Sequence, residues 1–390
     1  MPDHPRLVIL GNPGSRRVTI FQRALADLGL PAARVISWAD ALDDLDALPR
    51  ALSPDDLLRV ESPGEDFEVE RRLIALGAGS PDDPGPRGAR GRSRISAEAA
   101  MALPQDPGLI LHPRQWFLGL RAALRRWRPA LPCPAMNDLA DIEIMFDKRL
   151  CAARLAALGV PTPPSLGPVE GWDHLREVMG ERGIDRVFVK LASGSSASGV
   201  IALSLRRAPM ALTSMERAPH PTGLRFYNSL RVRRYSRPEH LAELVDAVCA
   251  EGAQVEVWIP KARLDGHMID LRVVVIGGRA CHVVVRQGRS PMTNLHLGGG
   301  RGDLDAAKAK ITPARWDAMM GVCERAAGAF PDSLYCGVDL LIGQDWSSCF
   351  VLEINAFGDL LPGISWRGAD PCAVEIQAAL GLPLGHQEVS

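Results

Sequence analysis

Residues 336–355 read CGVDLLIGQDWSSCFVLEIN, and this stretch decides the fold prediction. Two aliphatic runs flank a polar turn, a pattern typical of an antiparallel hairpin. Pairing of the two strands can present Asp339 beside Glu353, and Asn355 follows Glu353 on the same side two residues later. Two carboxylates and an amide oxygen suit Mg²⁺. The plain structural alternative is the solvent-facing side of an edge hairpin.

Charged residues also interrupt the strands predicted upstream of this hairpin. Asp270-Leu271-Arg272 leads into a run of valines, and Arg286 ends the next valine run. Alternation along a strand places Asp270 and Arg272 on one face. Arginines among valines are costly to bury unless an anion pairs with them. These residues therefore predict either an anionic ligand or ordinary salt bridges at a sheet surface.

A Gly/Ser-rich loop separates two further predicted strands. Residues 187–190 read VFVK, and the loop LASGSSASG over 191–199 leads into a second strand at 200–203. Such a loop exposes backbone N–H groups and hydroxyls that can close over phosphates. It is not a Walker loop, because Lys190 precedes the glycines and a strand follows them. An ordinary hairpin loop would have a similar sequence.

Residues 254–260, QVEVWIP, predict a strand that ends at Pro260. Its last peptide groups would lie beside an apolar wall, which is the arrangement an adenine edge needs.

Lysine is rare in this chain, which has 40 arginines and five lysines. Arginine supplies the ordinary surface charge, so a lysine within an ordered element indicates a need for a compact ammonium group. The five are Lys148, Lys190, Lys261, Lys308 and Lys310.

The N-terminal third predicts an α/β opening. A strand at 7–10 is followed by a glycine-containing turn and an amphipathic helix that ends at Gly29. An Arg-rich loop over 79–94 and a proline-rich linker over 129–134 follow, and the main boundary falls at the linker. Beyond it, a capped helix is expected to run from Asp138 to Gly159.

Length and composition exclude several classes of protein. The 390 residues correspond to about two to three domains. A net charge of −1 gives no general attraction to nucleic acid or anionic lipid, so neither is an expected partner. No apolar run of about 18 residues and no signal sequence are present, which predicts a cytoplasmic protein. The eight scattered cysteines predict reduced, mostly buried thiols and no structural zinc.

Taken together, these motifs resemble the ATP-grasp superfamily, and within it the branch of prokaryotic glutathione synthetase and the ribosomal-protein glutamate ligases. The resemblance covers roughly residues 138–363. It implies an α/β protein with the α+β ATP-grasp fold, in which two α+β subdomains sandwich ATP. The expected divisions are an N-terminal α/β pre-ATP-grasp domain over 1–130, a small subdomain with the Gly/Ser loop over 137–258, and a large subdomain with the metal site over 259–390.

The resemblance also implies roles for single residues. ATP would be bound by Lys148, Lys190, Gly194, Ser195, Ser196, Ser198, Gly199, Val257, Trp258, Asp270 and Asn294. Val257 and Trp258 would contact adenine through their backbone, and Asp270 would hold the ribose. Asp339, Glu353 and Asn355 would hold one or two Mg²⁺ ions, with Mn²⁺ as a substitute. Arg272 and Arg286 would be catalytic, stabilising the transferring phosphoryl group.

The activity implied is that of an ADP-forming ligase. A small-molecule or peptide carboxylate would become an acyl-phosphate, which an amine or thiol would then attack. The alternatives are a phosphotransferase on the same fold and a non-catalytic ATP-binding protein, and the sequence leaves a homodimer open. Two departures from the pattern, Met292 where the glutamate ligases often have arginine and an extra segment over 209–237, leave the substrate undetermined.

Overall fold

The computed structural model describes residues 4–81, 94–194, 198–221 and 223–385. Its N-terminal part is built, in chain order, from β1 (Arg6–Gly11), α1 (Arg16–Asp27), β2 (Arg34–Ser37), α2 (Trp38–Asp43), α3 (Ala47–Ala51), β3 (Asp56–Val60), α4 (Phe67–Ala78), α5 (Ala97–Met101) and α6 (Pro113–Trp127). β1 lies between β2 and β3 in a parallel sheet. The Ser15 hydroxyl caps α1, and Gly29, with φ +69°, follows its end. The predicted α/β opening is confirmed.

The predicted linker is docked against this sheet. The N–H of Leu58 donates to Pro134 O at 3.0 Å, and the N–H of Met136 donates to Leu58 O at 2.8 Å. Residues 134–136 therefore run along the edge of β3. Of the predicted Arg-rich loop, residues 82–93 lie outside the described residues.

The middle part contains α7 (Leu139–Phe146), α8 (Lys148–Ala157), α9 (Trp172–Glu181), β4 (Arg186–Leu191), β5 (Ile201–Ser204), β6 (Met210–His220), β7 (Gly223–Tyr235), α10 (Pro238–Ala250) and β8 (Ala253–Val257). Its strands form an antiparallel sheet in the order β7-β6-β5-β4-β8, called here the small sheet. The extra segment over 209–237 is a long hairpin, β6–β7, that extends this sheet.

The continuous helix expected from Asp138 to Gly159 is wrong. Asp147 has an extended backbone, with φ −94° and ψ 104°, and its carboxylate accepts the N–H of Arg149. An aspartate in this conformation is a strong N-cap, so one helix ends and another begins there. The break places Lys148 at the first position of α8, where its N–H donates to Ala192 O at 2.8 Å.

The C-terminal part contains β9 (Arg263–Leu264), β10 (His267–Ile276), β11 (Arg279–Gly288), β12 (Gly300–Arg301), α11 (Leu304–Lys308), α12 (Pro313–Gly328), β13 (Tyr335–Ile342), β14 (Cys349–Asn355) and α13 (Pro371–Ala379). Its six-stranded sheet, called here the large sheet, has the order β12-β11-β10-β13-β14, with β9 paired to β10. The predicted hairpin at 336–355 is β13–β14.

Three apolar clusters hold these parts together. One is confined to the small sheet with α9 and α10. The other two join the N-terminal sheet and its helices to opposite faces of the large sheet. Seven of the eight cysteines are buried, Cys349 is half-buried, and all eight are free. Among the described residues, no helix has both the length and the apolar character needed to cross a membrane.

Candidate active site

Register across the large sheet brings the predicted charged residues into one row. Arg272 on β10 lies opposite Asp339 on β13, which lies opposite Glu353 on β14. One extra residue, Leu352, bulges from β14 beside this pair, since Leu340 is opposite Val351. Val351 and Ile354 are buried in the core, so Leu352 and Glu353 both face away from it. Asn355 lies opposite Gly337, one step along the same face.

Both predicted catalytic arginines contact Asp339. The Nε of Arg272 lies 2.5 Å from Asp339 Oδ1, and the Nη2 of Arg286 lies 3.1 Å from Oδ2. Asp339 is only 4% exposed. Burial raises the pKa of Asp339 to about 6, although both arginines act to lower it. This buried carboxylate therefore gains from a further positive charge beside it.

Asp270, two residues before Arg272 on the same face of β10, anchors a second cluster. Its Oδ1 accepts from the Nε of Arg286 at 2.8 Å, and its Oδ2 accepts from Lys261 Nζ at 2.6 Å and from the Thr293 hydroxyl at 2.5 Å. Burial acts to raise the pKa of Asp270, but Arg286 and Lys261 outweigh it and hold that pKa well below its usual range. Both oxygens are thus engaged within the protein, and the expected ribose contact stays a prediction.

Three of the five lysines line one cavity between the small and large sheets, called here the lysine cleft. Lys148 Nζ lies 2.6 Å from Gly194 O and 3.2 Å from Glu353 Oε2. Lys190 pairs with Glu256 on the neighbouring strand β8. Lys261, to which the sequence analysis gave no role, is the third. Burial acts to raise the pKa of Glu353, yet Lys148, Lys190 and Arg272 lower it to about 2.

The far end of the lysine cleft is an apolar slot. Its walls are formed by Pro163, Phe188, Val200, Val257, Ile259, Met292, Leu341 and Leu352. The N–H of Val257 donates to Pro164 O, and that of Trp258 donates to Arg186 O. The Trp258 ring packs on Phe188, with centroids 5.4 Å apart. In the described part of the chain no acceptor meets the N–H of Ile259, so this next residue offers the donor at the slot.

The Gly/Ser loop follows β4 directly into this region. Gly194 and Ser198 line the lysine cleft. Gly199 has φ +63°, and a Cβ there would lie 2.5 Å from the Leu191 side chain, so glycine is required. The predicted contacts Ser195 and Ser196 lie outside the described residues. Asn294, also predicted, lines the cleft and begins the 3₁₀ turn Leu295–Leu297.

A second cavity of about 630 Å³ opens from the lysine cleft towards the N-terminal domain. It is called here the interdomain cavity, and it shares Lys148, Arg286 and Glu353 with the cleft. Three aromatic rings form part of its wall. Trp116 and Phe146 have centroids 5.4 Å apart, and Phe146 and Phe357 have centroids 5.9 Å apart. The row of charges thus lies where the two cavities meet.

The donor set at this junction fits Mg²⁺. Among the described residues there is no group of three or more His, Cys, Asp or Glu side chains that could hold a metal ion. Asn355, however, lies on the same face as Asp339 and Glu353 and adds a third oxygen donor. Its Nδ2 donates to Gly337 O at 3.3 Å, which leaves its Oδ1 as an acceptor. The buried Asp339 Oδ1 is ion-paired with Arg272 but accepts no well-aligned hydrogen bond within the described chain. Mg²⁺ takes few protein oxygens and completes its shell with water and phosphate.

The architecture is the ATP-grasp fold, as the sequence resemblance predicted. Over 95% of this chain and 98% of the other, it is similar to the crystal structure of D-cycloserine synthetase DcsG, with a TM-score of 0.53 and 16% identity. It is also similar to the ADP complex of PurK, an N5-carboxyaminoimidazole ribonucleotide synthetase, with a TM-score of 0.58 and 12% identity over 98% and 78% of the two chains.

A carboxyaminoimidazole ribonucleotide synthase from Aspergillus clavatus, complexed with ATP, gives a TM-score of 0.51 and 13% identity over all of this chain and 80% of that one. No family model and no curated protein matches the sequence. The branch of the superfamily stays a prediction.

Proposed function

We propose that this chain is an ATP-dependent carboxylate–amine ligase that works through an acyl-phosphate and releases ADP and phosphate. The observation that carries the proposal is the junction of the two cavities. There Lys148, Arg272 and Arg286 surround the carboxylates of Asp339 and Glu353. One cavity combines an apolar slot with three lysines, as a nucleotide would require, and the other could hold a second substrate.

In this proposal ATP occupies the lysine cleft. Adenine lies in the apolar slot against the N–H of Ile259 and the backbone of Val257, and Lys148 and Lys190 bind the phosphates beneath the Gly/Ser loop. Lys261 and Asp270 lie between slot and junction and would face the ribose side. Asp339, Glu353 and Asn355 would hold one or two Mg²⁺ ions, which supply charge neutralisation and orientation of the β- and γ-phosphates.

The reaction follows from the charge at the junction. A carboxylate oxygen of the substrate attacks the γ-phosphorus, and the bond between that phosphorus and the β–γ bridging oxygen breaks, so ADP leaves. The nucleophile then attacks the acyl carbon, the carbon–oxygen bond to phosphate breaks, and the nucleophile loses its proton. Arg272 and Arg286 stabilise the negative charge that develops in both steps. Enclosure between the domains shields the acyl-phosphate from water.

The charges in the interdomain cavity favour an amine over a thiol. The arginines and the lysine that line it are each paired with a protein carboxylate: Arg17 with Glu61, Lys148 with Glu353, Arg272 with Asp339 and Arg286 with Asp270. Glu65 and Glu70 also line it, and no cation of the described residues pairs with either. A substrate ammonium group would supply the positive charge that Glu65 and Glu70 lack, whereas a neutral thiol would not.

Hydroxylamine trapping tests the proposed reaction. The protein is incubated with Mg·ATP, hydroxylamine and a panel of amino acids and short peptides that carry free carboxylates. We expect ADP release that depends on one class of acid, together with its hydroxamate. A stable phosphorylated product with no hydroxamate would indicate a phosphotransferase, and ATP binding without consumption would indicate a binding protein. Glu353→Ala should abolish turnover, and retained activity would refute the metal role.

A further inference from the structure

The chain leaves β14 through a short turn, residues 356–358, directly after the proposed metal ligands. Its backbone is fixed from behind by side chains of other elements. Ala356 O accepts from Asn137 Nδ2 at 2.7 Å, and Phe357 O accepts from the guanidinium of Arg17. Gly358 donates its N–H to Asn355 O at 3.2 Å, and a Cβ on Gly358 would lie 3.1 Å from Glu375 Oε1.

Arg17 belongs to α1 of the N-terminal domain and is itself held by a buried chain of charges. Its Nε donates to Glu61 Oε2 at 2.7 Å, and Glu61 Oε1 accepts from Arg59 Nε at 2.7 Å. Arg59 Nη1 then donates to Glu375 Oε2 on α13 at 2.7 Å. The Arg59, Glu61 and Glu375 side chains are each at most 2% exposed.

Such a chain fixes geometry more than it stabilises the fold. Buried ion pairs recover little of their desolvation cost, and apolar side chains of similar volume often serve stability as well or better. A planar guanidinium that bonds a carboxylate and a carbonyl together admits few arrangements. Arg17 is the member of the chain that reaches the turn and lines the interdomain cavity, and its side chain is 23% exposed.

We propose that Arg17 is a positioning residue through which the N-terminal domain sets the end of β14 and thereby aligns Glu353 and Asn355 for a divalent cation. The proposal rests on the metal site in the proposed function. It makes the N-terminal domain part of the metal centre, because the hydrogen bond from α1 to Phe357 O is made two residues beyond Asn355.

Mn²⁺ is the probe, read by electron paramagnetic resonance in the presence of ADP. We compare the wild type with Arg17→Met, Arg17→Lys and a matched control, Arg34→Met, an exposed arginine of the same domain. Arg17→Met should raise the Mn²⁺ dissociation constant at least tenfold and change the spectrum of the bound ion. Arg17→Lys should have a Mn²⁺ dissociation constant between those of the wild type and Arg17→Met. Arg34→Met should match the wild type in both affinity and spectrum.

Thermal unfolding by circular dichroism checks that each variant is folded, and Arg17→Gln replaces Arg17→Met under the same criteria should the latter not fold. The positioning role is refuted if Arg17→Met binds Mn²⁺ with wild-type affinity and spectrum while Glu353→Ala loses it, and the proposed function then stands. A wild type that shows no ADP-dependent Mn²⁺ binding overturns the metal site itself, and the role of Arg17 with it.

Discussion

At the residue scale, the rare lysines cluster at one cavity. Lys148, Lys190 and Lys261 line one cleft, whereas Lys308 is an exposed residue of α11. The family resemblance implies roles for Lys148 and Lys190 but none for Lys261. Its partners Asp270 and Thr293 lie nine and 32 residues further along the chain, and no motif links the three, so only the fold shows the contact.

Lys261→Met should destabilise the protein by about 3 kcal/mol, because it leaves a buried carboxylate short of one partner. It should also weaken Mg·ATP binding. The matched control is Lys308→Met, which removes an exposed ammonium group near Trp316 and should cost less than about 0.5 kcal/mol. Urea unfolding measures both. Equal losses for the two variants would show that the buried cluster contributes nothing specific.

Glu61 and Glu375 share Arg59 but differ in pKa. Burial acts to raise the pKa of both carboxyl groups. For Glu61, Arg59 and Arg17 outweigh burial, so the pKa of Glu61 is lowered. Glu375 is hydrogen-bonded to Arg59, but burial outweighs the lowering effect of Arg59 and raises the pKa of Glu375 to about 7. The folded state therefore binds a proton at Glu375 more tightly than the unfolded chain, in which the carboxyl has its ordinary pKa of 4.5.

The free energy of unfolding should accordingly lose about 3 kcal/mol through Glu375 as pH rises from about 4.5 to about 7. Glu375→Gln cannot ionise and should lack this loss. Unfolding by urea at pH 5 and pH 7.5 compares the two proteins, and the other titrating groups cancel in the difference. An identical pH dependence of the wild type and the variant would contradict the assignment.

Among the elements, strands were predicted better than the connections that place their side chains. Alternation along the strands correctly predicted that Asp270 and Arg272 lie on the same face, and that Glu353 and Asn355 do so too. The bulge at Leu352 could not be foreseen, since the aliphatic run of β14 fits a regular strand equally well. The helix break at Asp147 was missed for a similar reason, because the apolar spacing continues across it.

None of the four α-helices that the structure describes after residue 186 was predicted individually, although the sequence carries signals for the two longest. α10 and α12 each begin with proline at the first position and repeat apolar residues every three to four positions. The β6–β7 hairpin was noticed only as an extra segment. Arginines are frequent in β7 but β6 has only one, and only the pairing shows that the hairpin extends the small sheet.

The Gly/Ser loop yields a prediction at the element scale. Gly199→Ala should weaken Mg·ATP binding at least tenfold, because a methyl group there would collide with Leu191 and displace the loop. Gly167→Ala is the matched control, since Gly167 has a similar φ of +80° and open space around it. That variant should lose about 1 kcal/mol of stability and bind normally. Isothermal titration calorimetry measures the Mg·ATP affinity of each variant. Equal affinities for the two variants would contradict a role of the loop in nucleotide binding.

At the scale of the whole molecule, the sequence predicted the fold class and singled out most of the residues that the structure brings together, but not how the N-terminal part joins them. The hairpin carboxylates and both arginines were recognisable because they interrupt apolar strands, whereas Lys148 received its role only through the family resemblance. The ion network of Arg17, Arg59, Glu61 and Glu375 joins residues more than 300 positions apart. No sequence pattern links Arg17 or Glu375 to the other members, so only packing of the N-terminal sheet on the large sheet reveals the network.

The proposed function requires a magnesium-dependent nucleotide site in the lysine cleft. The most direct measurement is the unfolding of the protein with and without Mg·ATP, for the wild type and Lys190→Ala. At about 100 times its dissociation constant, Mg·ATP should stabilise the wild type by about 2.7 kcal/mol, and Lys190→Ala should lose that gain. A folded wild type that Mg·ATP does not stabilise would contradict the account.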